Sequence, residues 1–147
     1  MGYFGALDIG ASALTAQRLR MDTISQNIAN ANTTRTENGT PYRRKAVIFE
    51  EKSLDAPFSD YLSASSRERL GGKGVRVAKI VEDATPFKRV YDPGNPDADA
   101  DGYVQMPNVD IVTEMVNMIS ATRAYEANVT SINTAKSMAM KALEIGK

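Results

Sequence analysis

Three aspartates that alternate along one acidic segment are the residues of this sequence best suited to chemistry. Asp97, Asp99 and Asp101 are followed by Gly102, which is the spacing that opens an EF-hand calcium loop. The rest of the segment departs from that pattern, because its twelfth position is Asn108 instead of a bidentate glutamate and prolines just upstream exclude the incoming helix. We interpret the segment as a surface turn whose carboxylates cap backbone groups or pair with arginine. A calcium-binding module is the alternative interpretation, and the prediction is that no cofactor is bound.

The composition removes most other kinds of active site. The 147-residue chain has no Cys and no His, which excludes thiolate nucleophiles, disulfides, Ser–His–Asp triads and metal sites built on those ligands. The adjacent acidic pairs Glu50-Glu51 and Glu82-Asp83 make poor acid–base pairs, because neighbours in a strand point to opposite faces. The spacing therefore nominates no residue for a carboxylate-dependent hydrolase, although an enzyme that uses carboxylates, Lys, Tyr or Ser stays open at this point.

The charge balance argues against nucleic acid as a partner. The chain has 18 Lys and Arg residues and 18 Asp and Glu residues, whereas binding that neutralises phosphates needs an excess of basic groups. We interpret the basic run Arg43-Arg44-Lys45 as the solvent-exposed edge of a sheet or as a subunit contact. No stretch approaches 18 uninterrupted apolar residues and no secretory signal is visible, so we expect neither a membrane span nor a cleaved signal peptide.

Helical patterns occupy both ends of the chain. In the first 34 residues a heptad-like apolar stripe predicts an amphipathic helix that ends in an Asn- and Thr-rich cluster. This stripe consists of Leu7, Leu14, Met21, Ile24 and Ile28. After Pro107 an alternating four-and-three spacing predicts a longer helix with Asn108 as its N-cap and Gly146 at its end. Its apolar positions include Ile111, Met115, Met118, Tyr125, Val129, Ile132 and Leu143.

The segment between the helices is predicted to form strands and turns. Strands are indicated over 42–51, 74–81 and 85–91, with a turn at 71–74, another turn at 92–96 and a surface excursion over 53–70. The predicted domains are an N-terminal helix over 1–34, a central β-rich domain over 35–108 and a C-terminal helix over 109–147. The predicted fold class is α+β, in which the long terminal helices form an antiparallel coiled-coil-like hairpin beside the small central domain.

The polar faces of both predicted helices are mostly small and uncharged. Counting two Gly and eleven Asp, Asn, Ser, Thr and Ile residues between residues 5 and 31, the N-terminal helix carries roughly 6 kcal/mol of unfavourable helix propensity against alanine. Such a helix needs packing partners, and small neutral side chains allow close approach. We interpret both helices as packing on more than one side, against each other and against copies or relatives of the chain. A monomer whose hairpin folds back over the sheet is the alternative.

Several segments resemble the flagellar axial proteins. The run LDIGASALTAQRLRMDTISQNIANANTT is similar to their N-terminal helix, including its IANANT ending. The segments PYRRKAVIFEE, VYDPGNPDADADGYVQMPNVDIVTEMVNMI and RAYEANVTSINTAKSMAMKALEIGK resemble the proximal-rod subunits of the basal body. The resemblance covers nearly the whole chain apart from 53–73, with slight departures at Gln26 and Asn95.

This resemblance implies a structural, non-enzymatic subunit of the proximal rod. Its helices would polymerise into the inner tube of a hollow drive shaft that transmits torque and conducts exported subunits. It implies homo- and hetero-oligomeric contacts with other rod subunits and the rod–ring junction protein. It also implies contact with the flagellar type III export apparatus, through which the chain would reach the cell envelope and the periplasmic space.

The resemblance also implies roles for particular residues. The stripe of the first helix would pack against the second helix, through Met115, Met118, Tyr125, Val129, Ile132 and Leu143. The stretch from Ile28 to Thr34, which contains Asn30, Asn32 and Thr33, would join the tube to the outer domain. The acidic turn would be a fixed surface or intersubunit turn.

Overall fold

Two long helices flank four short strands in this protein. The computed structural model describes residues 3–52 and 74–145. In chain order the elements are α1 (Tyr3–Ala29), β1 (Lys45–Glu51), β2 (Val75–Glu82), β3 (Lys88–Tyr91), β4 (Tyr103–Met106) and α2 (Ile111–Ile145). The α+β prediction is thereby confirmed, with two small sheets between the helices. The predicted excursion over 53–70 and most of the turn at 71–74 lie outside the described residues.

Helix α1 ends where the sequence changes to Asn and Thr. The Asn30 amide donates to the Gln26 carbonyl at 3.1 Å, and the Ala31 amide closes a tighter turn on the Ile28 carbonyl at 3.2 Å. The Asn30 side chain also donates to the Gln26 carbonyl, at 2.9 Å. Asn side chains that bond to nearby backbone groups favour turns over further helix, so the predicted end of α1 is confirmed.

Helix α2 begins three residues later than its predicted cap. Its N-cap is Asp110, whose carboxylate accepts hydrogen bonds from the amide and the hydroxyl of Thr113. These bonds lower the pKa of Asp110, with the Thr113 hydroxyl the largest cause. The prediction of Asn108 as the cap was wrong, because its side chain is engaged elsewhere. Among the described helices, none is long and apolar enough to cross a bilayer.

Strands β1 and β2 form one two-stranded sheet. The Asp83 amide donates to the Arg44 carbonyl at 2.8 Å, and the Lys52 amide donates to the Gly74 carbonyl at 2.7 Å. These pairings at opposite ends of β1 mean that the strands run antiparallel. Arg76 and Glu50 form an ion pair across the same sheet.

Strands β3 and β4 form an antiparallel hairpin around the acidic turn. Lys88 pairs with Met106 and Tyr91 pairs with Tyr103, so the register extends over four residue pairs. The Tyr91 and Tyr103 rings meet edge to face, with centroids 5.3 Å apart. Strand β3 was predicted from the sequence, but β4 was not, because its four residues contain a single buried valine, Val104.

Glycine is required at the end of the acidic turn. Gly102 has a φ of 78°, and a Cβ atom there would lie 3.0 Å from Cε2 of Tyr91. We expect Gly102→Ala to lower the free energy of unfolding by about 1–2 kcal/mol, since left-handed backbone is costly for any residue with a Cβ. Urea unfolding measures this. Gly94→Ala is the matched control, because the nearest atom to its Cβ is 3.7 Å away and its φ is not positive. Equal losses in the two variants would contradict the argument.

The described residues divide into two compact units, each containing part of both helices. One unit is drawn from 1–18, 49–78 and 122–147, and the other comprises 19–48 and 79–121. In the first unit, Gly10 of α1 lies against Ile132 of α2, since a Cβ at Gly10 would be 2.6 Å from Cγ1 of Ile132. Ser12 of α1 accepts a hydrogen bond from the Val75 amide at 3.1 Å. The second unit contains most of the buried side chains described below.

Candidate functional site

A buried carboxylate lies at the centre of the second unit. Glu114, in the first turns of α2, is 0% exposed and is the largest fully buried side chain among the described residues. Its Oε2 atom accepts from Nδ2 of Asn27 at 2.8 Å. Its Oε1 atom accepts from Nε and Nη2 of Arg44 at 3.0 and 2.9 Å. Because an unpaired buried carboxylate would be strongly unfavourable, these partners are required for its burial.

Asn27 of α1 uses all of its side-chain hydrogen-bonding groups. Its Nδ2 atom donates to the Lys45 carbonyl at 2.8 Å as well as to Glu114. Its Oδ1 atom accepts from the Lys45 amide at 2.9 Å and from the Tyr42 hydroxyl at 3.0 Å. The amide group therefore connects α1 to α2 and to the start of β1. We refer to Asn27, Tyr42, Arg44 and Glu114 as the Glu114 cluster.

The cluster continues into the end of β2. Arg44 lies 3.4 Å from Oδ2 of Asp83, and the Arg44 amide donates to Oδ1 of Asn108 at 2.8 Å. The Asn108 side chain in turn donates to the Thr85 hydroxyl at 2.8 Å and to the Asp83 carbonyl at 3.1 Å. Arg44 is therefore an internal ion-pair partner, which corrects its interpretation as a sheet edge or subunit contact.

The electrostatics of the cluster agree with these contacts. Burial raises the pKa of Tyr42, and the negative charges of Glu114 and Glu82 raise it further. The pKa of Asp83 lies below its usual value, chiefly because its carboxylate accepts a hydrogen bond from the Thr85 amide, with smaller contributions from the Thr85 side chain and Arg44. Because its pKa is raised, the Tyr42 phenol keeps its proton at neutral pH and donates a hydrogen bond to Oδ1 of Asn27.

A row of exposed apolar side chains runs along the N-terminal part of α2. The α2 apolar row consists of Val112, Met115, Val116 and Ile119, and their exposed fractions are 70%, 54%, 61% and 54%. The spacing of three and four residues places the row on one face of the helix. Glu114 and Ala121, both 0% exposed, belong to the opposite face. The unit therefore buries one face of α2 and leaves an apolar face uncovered.

The predicted packing residues fall into three exposure classes. Of the α1 stripe, Ile24 is buried, and Leu7, Leu14, Met21 and Ile28 are partly exposed. In α2 the partly exposed residues are Met118, Tyr125, Val129 and Ile132, and the exposed ones are Ile111, Met115 and Leu143. Ile132 lies against α1 at Gly10. Packing of the other residues between the helices stays a prediction.

The predicted joint after α1 is a sequence of tight turns. The Asn30 side chain accepts from the Thr33 hydroxyl at 3.2 Å, and the Thr33 carbonyl accepts from the Tyr42 amide at 3.1 Å. Asn32 is exposed. The predicted joint, Ile28 to Thr34, begins one residue after Asn27 and so does not include it; the Asn-X-X-Asn spacing of Asn27 to Asn30 was the available signal.

The carboxylates of the acidic turn are engaged by the protein itself. Asp97 accepts from the Thr34 hydroxyl at 2.7 Å and lies 3.9 Å from Arg35. Asp99 accepts from the Asp101 and Tyr103 amides, at 3.1 and 2.8 Å, and lies 3.7 Å from Arg89. These contacts confirm the predicted capping and arginine pairing. Within residues 3–52 and 74–145, no group of three potential metal ligands converges.

Comparison with known proteins identifies the family. The family described as flagella basal body rod protein matches residues 7–35, and the family described as flagellar basal body rod FlgEFG protein C-terminal matches residues 100–145. The chain is 53% identical to the flagellar basal-body rod protein FlgC of Bacillus subtilis, with full coverage of both chains. It is 50% identical to FlgC of Borreliella burgdorferi, covering 99% of this chain and 98% of the relative. Escherichia coli O6:H1 FlgC is 46% identical, with full coverage of both. The chain therefore belongs to the FlgC family of flagellar basal-body rod proteins.

Proposed function

We propose that this protein is a structural, non-enzymatic subunit of the proximal part of the basal-body rod. It polymerises through its terminal helices into a hollow shaft that transmits torque and conducts exported subunits. Its relatives are flagellar basal-body rod proteins over their full length, which supports a role in the same structure. The mechanism is mechanical, since force passes between subunits through packed helices and no bond is made or broken.

The α2 apolar row is the single observation that best supports polymerisation. Four apolar side chains, all more than half exposed, follow one helix face. Contiguous apolar surfaces of this kind mark sites of protein association, because water makes them unfavourable to leave uncovered. A neighbouring helix that covers the row removes this surface from water. The same reasoning applies to Met138, Met140, Leu143 and Ile145 of the first unit, which are 55–86% exposed.

The partners and the location follow from the same proposal. The neighbours in the shaft are further copies of the chain and other rod subunits, and the rod–ring junction protein is a further partner. The subunit passes through the flagellar type III export apparatus without a cleaved signal and assembles in the cell envelope. The small uncharged polar faces of both helices support this proposal, because they permit close helix packing on more than one side.

Biochemical isolation of the basal body tests the function. An epitope-tagged chain is expressed from its own chromosomal locus, and basal bodies are purified and probed for the tag. We expect the tagged chain in the purified basal bodies, and we expect deletion of its gene to abolish both rod formation and motility. A chain that is absent from basal bodies, or a deletion strain with intact rods, would contradict the proposal.

A further inference from the structure

The apolar pattern of α1 is too regular to define one position along a partner helix. Leu7, Leu14, Met21 and Ile28 are separated by seven residues each, so a shift by one heptad places three of the four where another stood. Because Leu, Met and Ile have similar volumes, the shifted arrangement buries similar apolar area. The heptad stripe alone therefore does not select the register of α1 against α2. The close approach of Gly10 to Ile132 contributes in the first unit, and a further feature has to contribute in the second.

Buried polar groups can supply this selection. In the second unit the two fully buried helix side chains that touch across α1 and α2 are Asn27 and Glu114. If α1 shifted by seven residues, Asn27 would lie opposite Pro107 or Ala121, and neither side chain can accept its hydrogen bond. The shift would also separate Glu114 from Asn27. The Asn27 side chain is held in place by hydrogen bonds with the backbone amide and the backbone carbonyl of Lys45.

The geometry of the cluster suits selection better than stabilisation. A buried ion pair often contributes little net stability, because desolvation opposes the attraction, but misplacing one partner carries a strong penalty. We propose that the Glu114 cluster fixes the helix register of the subunit, with Asn27 and Arg44 as positioning residues for Glu114. This proposal rests on the proposed function, since a shaft of interlocked helices requires the same register in every subunit.

Intrachain disulfides can report the register. The chain has no Cys, so introduced pairs are unambiguous. Gly10→Cys with Ile132→Cys reports the observed register, since these positions are in contact. Gly10→Cys with Tyr125→Cys or with Ala139→Cys reports a shift of one heptad in either direction. Both of these pairs also carry Ile132→Ala, because the Ile132 side chain leaves no room for a Cβ at residue 10. Each pair is expressed in place of the chromosomal gene, purified basal bodies are oxidised, and the disulfide is read from gel mobility.

The test variant replaces three of the four side chains of the Glu114 cluster with apolar ones of similar volume and keeps Tyr42. It combines Asn27→Leu, Arg44→Met and Glu114→Leu, and a second test variant carries Asn27→Leu alone. We expect the 10–132 disulfide to fall about two-fold or more and the 10–125 or 10–139 disulfide to appear in both variants. The matched control is Asn30→Leu, because the Asn30 side chain bonds only within the turn that ends α1. In the Asn30→Leu variant we expect the 10–132 pair to form its disulfide and the 10–125 and 10–139 pairs to form none.

Each outcome decides the proposal. A change that only weakened the fold would lower stability without changing which of the three cysteine pairs forms a disulfide. The proposal would therefore be overturned if, in the test variants, the 10–132 pair formed its disulfide and the 10–125 and 10–139 pairs did not. Loss of both test variants from basal bodies, with the control incorporated, would assign the cluster to folding and would also overturn it. Failure of the proposed function has a different signature, since the unaltered chain would then itself be absent from basal bodies.

Discussion

Glu114→Ala is expected to lower the free energy of unfolding by about 3 kcal/mol, because it removes one partner from a buried ion pair. Arg44 would keep only its longer contact of 3.4 Å with Asp83. Asn27 would lose one of its two acceptors, and the removed side-chain atoms would leave a cavity in a fully buried position. Equilibrium urea unfolding followed by far-UV circular dichroism measures the loss.

The control for this effect lies on the same helix. Glu126 is exposed, so Glu126→Ala is expected to change the free energy of unfolding by no more than about 0.5 kcal/mol. The triple variant Asn27→Leu, Arg44→Met and Glu114→Leu is expected to cost less than Glu114→Ala, since it leaves no unpaired buried charge in the Glu114–Arg44 pair. Equal losses in Glu114→Ala and Glu126→Ala would mean that the carboxylate is not buried and paired in solution.

The sequence was sufficient to predict the elements whose apolar pattern extends over many residues. Both helices and three of the four strands could be predicted, because many residues contribute to each pattern. Strand β4 was missed because it has only four residues, too few for a clear alternating pattern, and directly follows the acidic turn. The cap of α2 was misplaced because Asn108 and Asp110 are both good capping residues, and only the three-dimensional contacts of Asn108 with Arg44 and Thr85 decide between them.

The Glu114 cluster could not be predicted from local patterns. Glu114 lies near the start of a helix, where a carboxylate is favourable for the helix dipole alone, so the sequence gives no reason to bury it. Its partner Arg44 is 70 residues away and belongs to a basic run that is typical of an exposed strand. Pairing over such a separation depends on the tertiary fold. The contacts of the acidic turn, in contrast, could be predicted. The Asp spacing already indicates a turn whose carboxylates cap backbone groups or pair with arginine, and the threonine and arginine partners agree with that.

Val116→Asp is expected to leave the lone subunit folded and to prevent its incorporation into the rod. Val116 is 61% exposed in the α2 apolar row, and Val and Asp have similar helix propensities, so the free energy of unfolding should change by no more than about 0.5 kcal/mol. The proposed function has a neighbour cover this position in the shaft, where an unpaired carboxylate would cost several kcal/mol. Since every 1.4 kcal/mol is a factor of about ten in an equilibrium, we expect incorporation to fall at least ten-fold.

Two measurements separate folding from assembly in this variant. Urea unfolding of the purified chain measures its stability, and the amount of the variant in purified basal bodies measures its incorporation. Val116→Leu keeps an apolar side chain at the same position and should incorporate normally, whereas Ile119→Asp, one turn further along the row, should fail in the same way. Wild-type amounts of both Asp variants in basal bodies would show that the row faces water in the assembled rod, and the surface that joins the subunits would then have to be sought on another face of the helices.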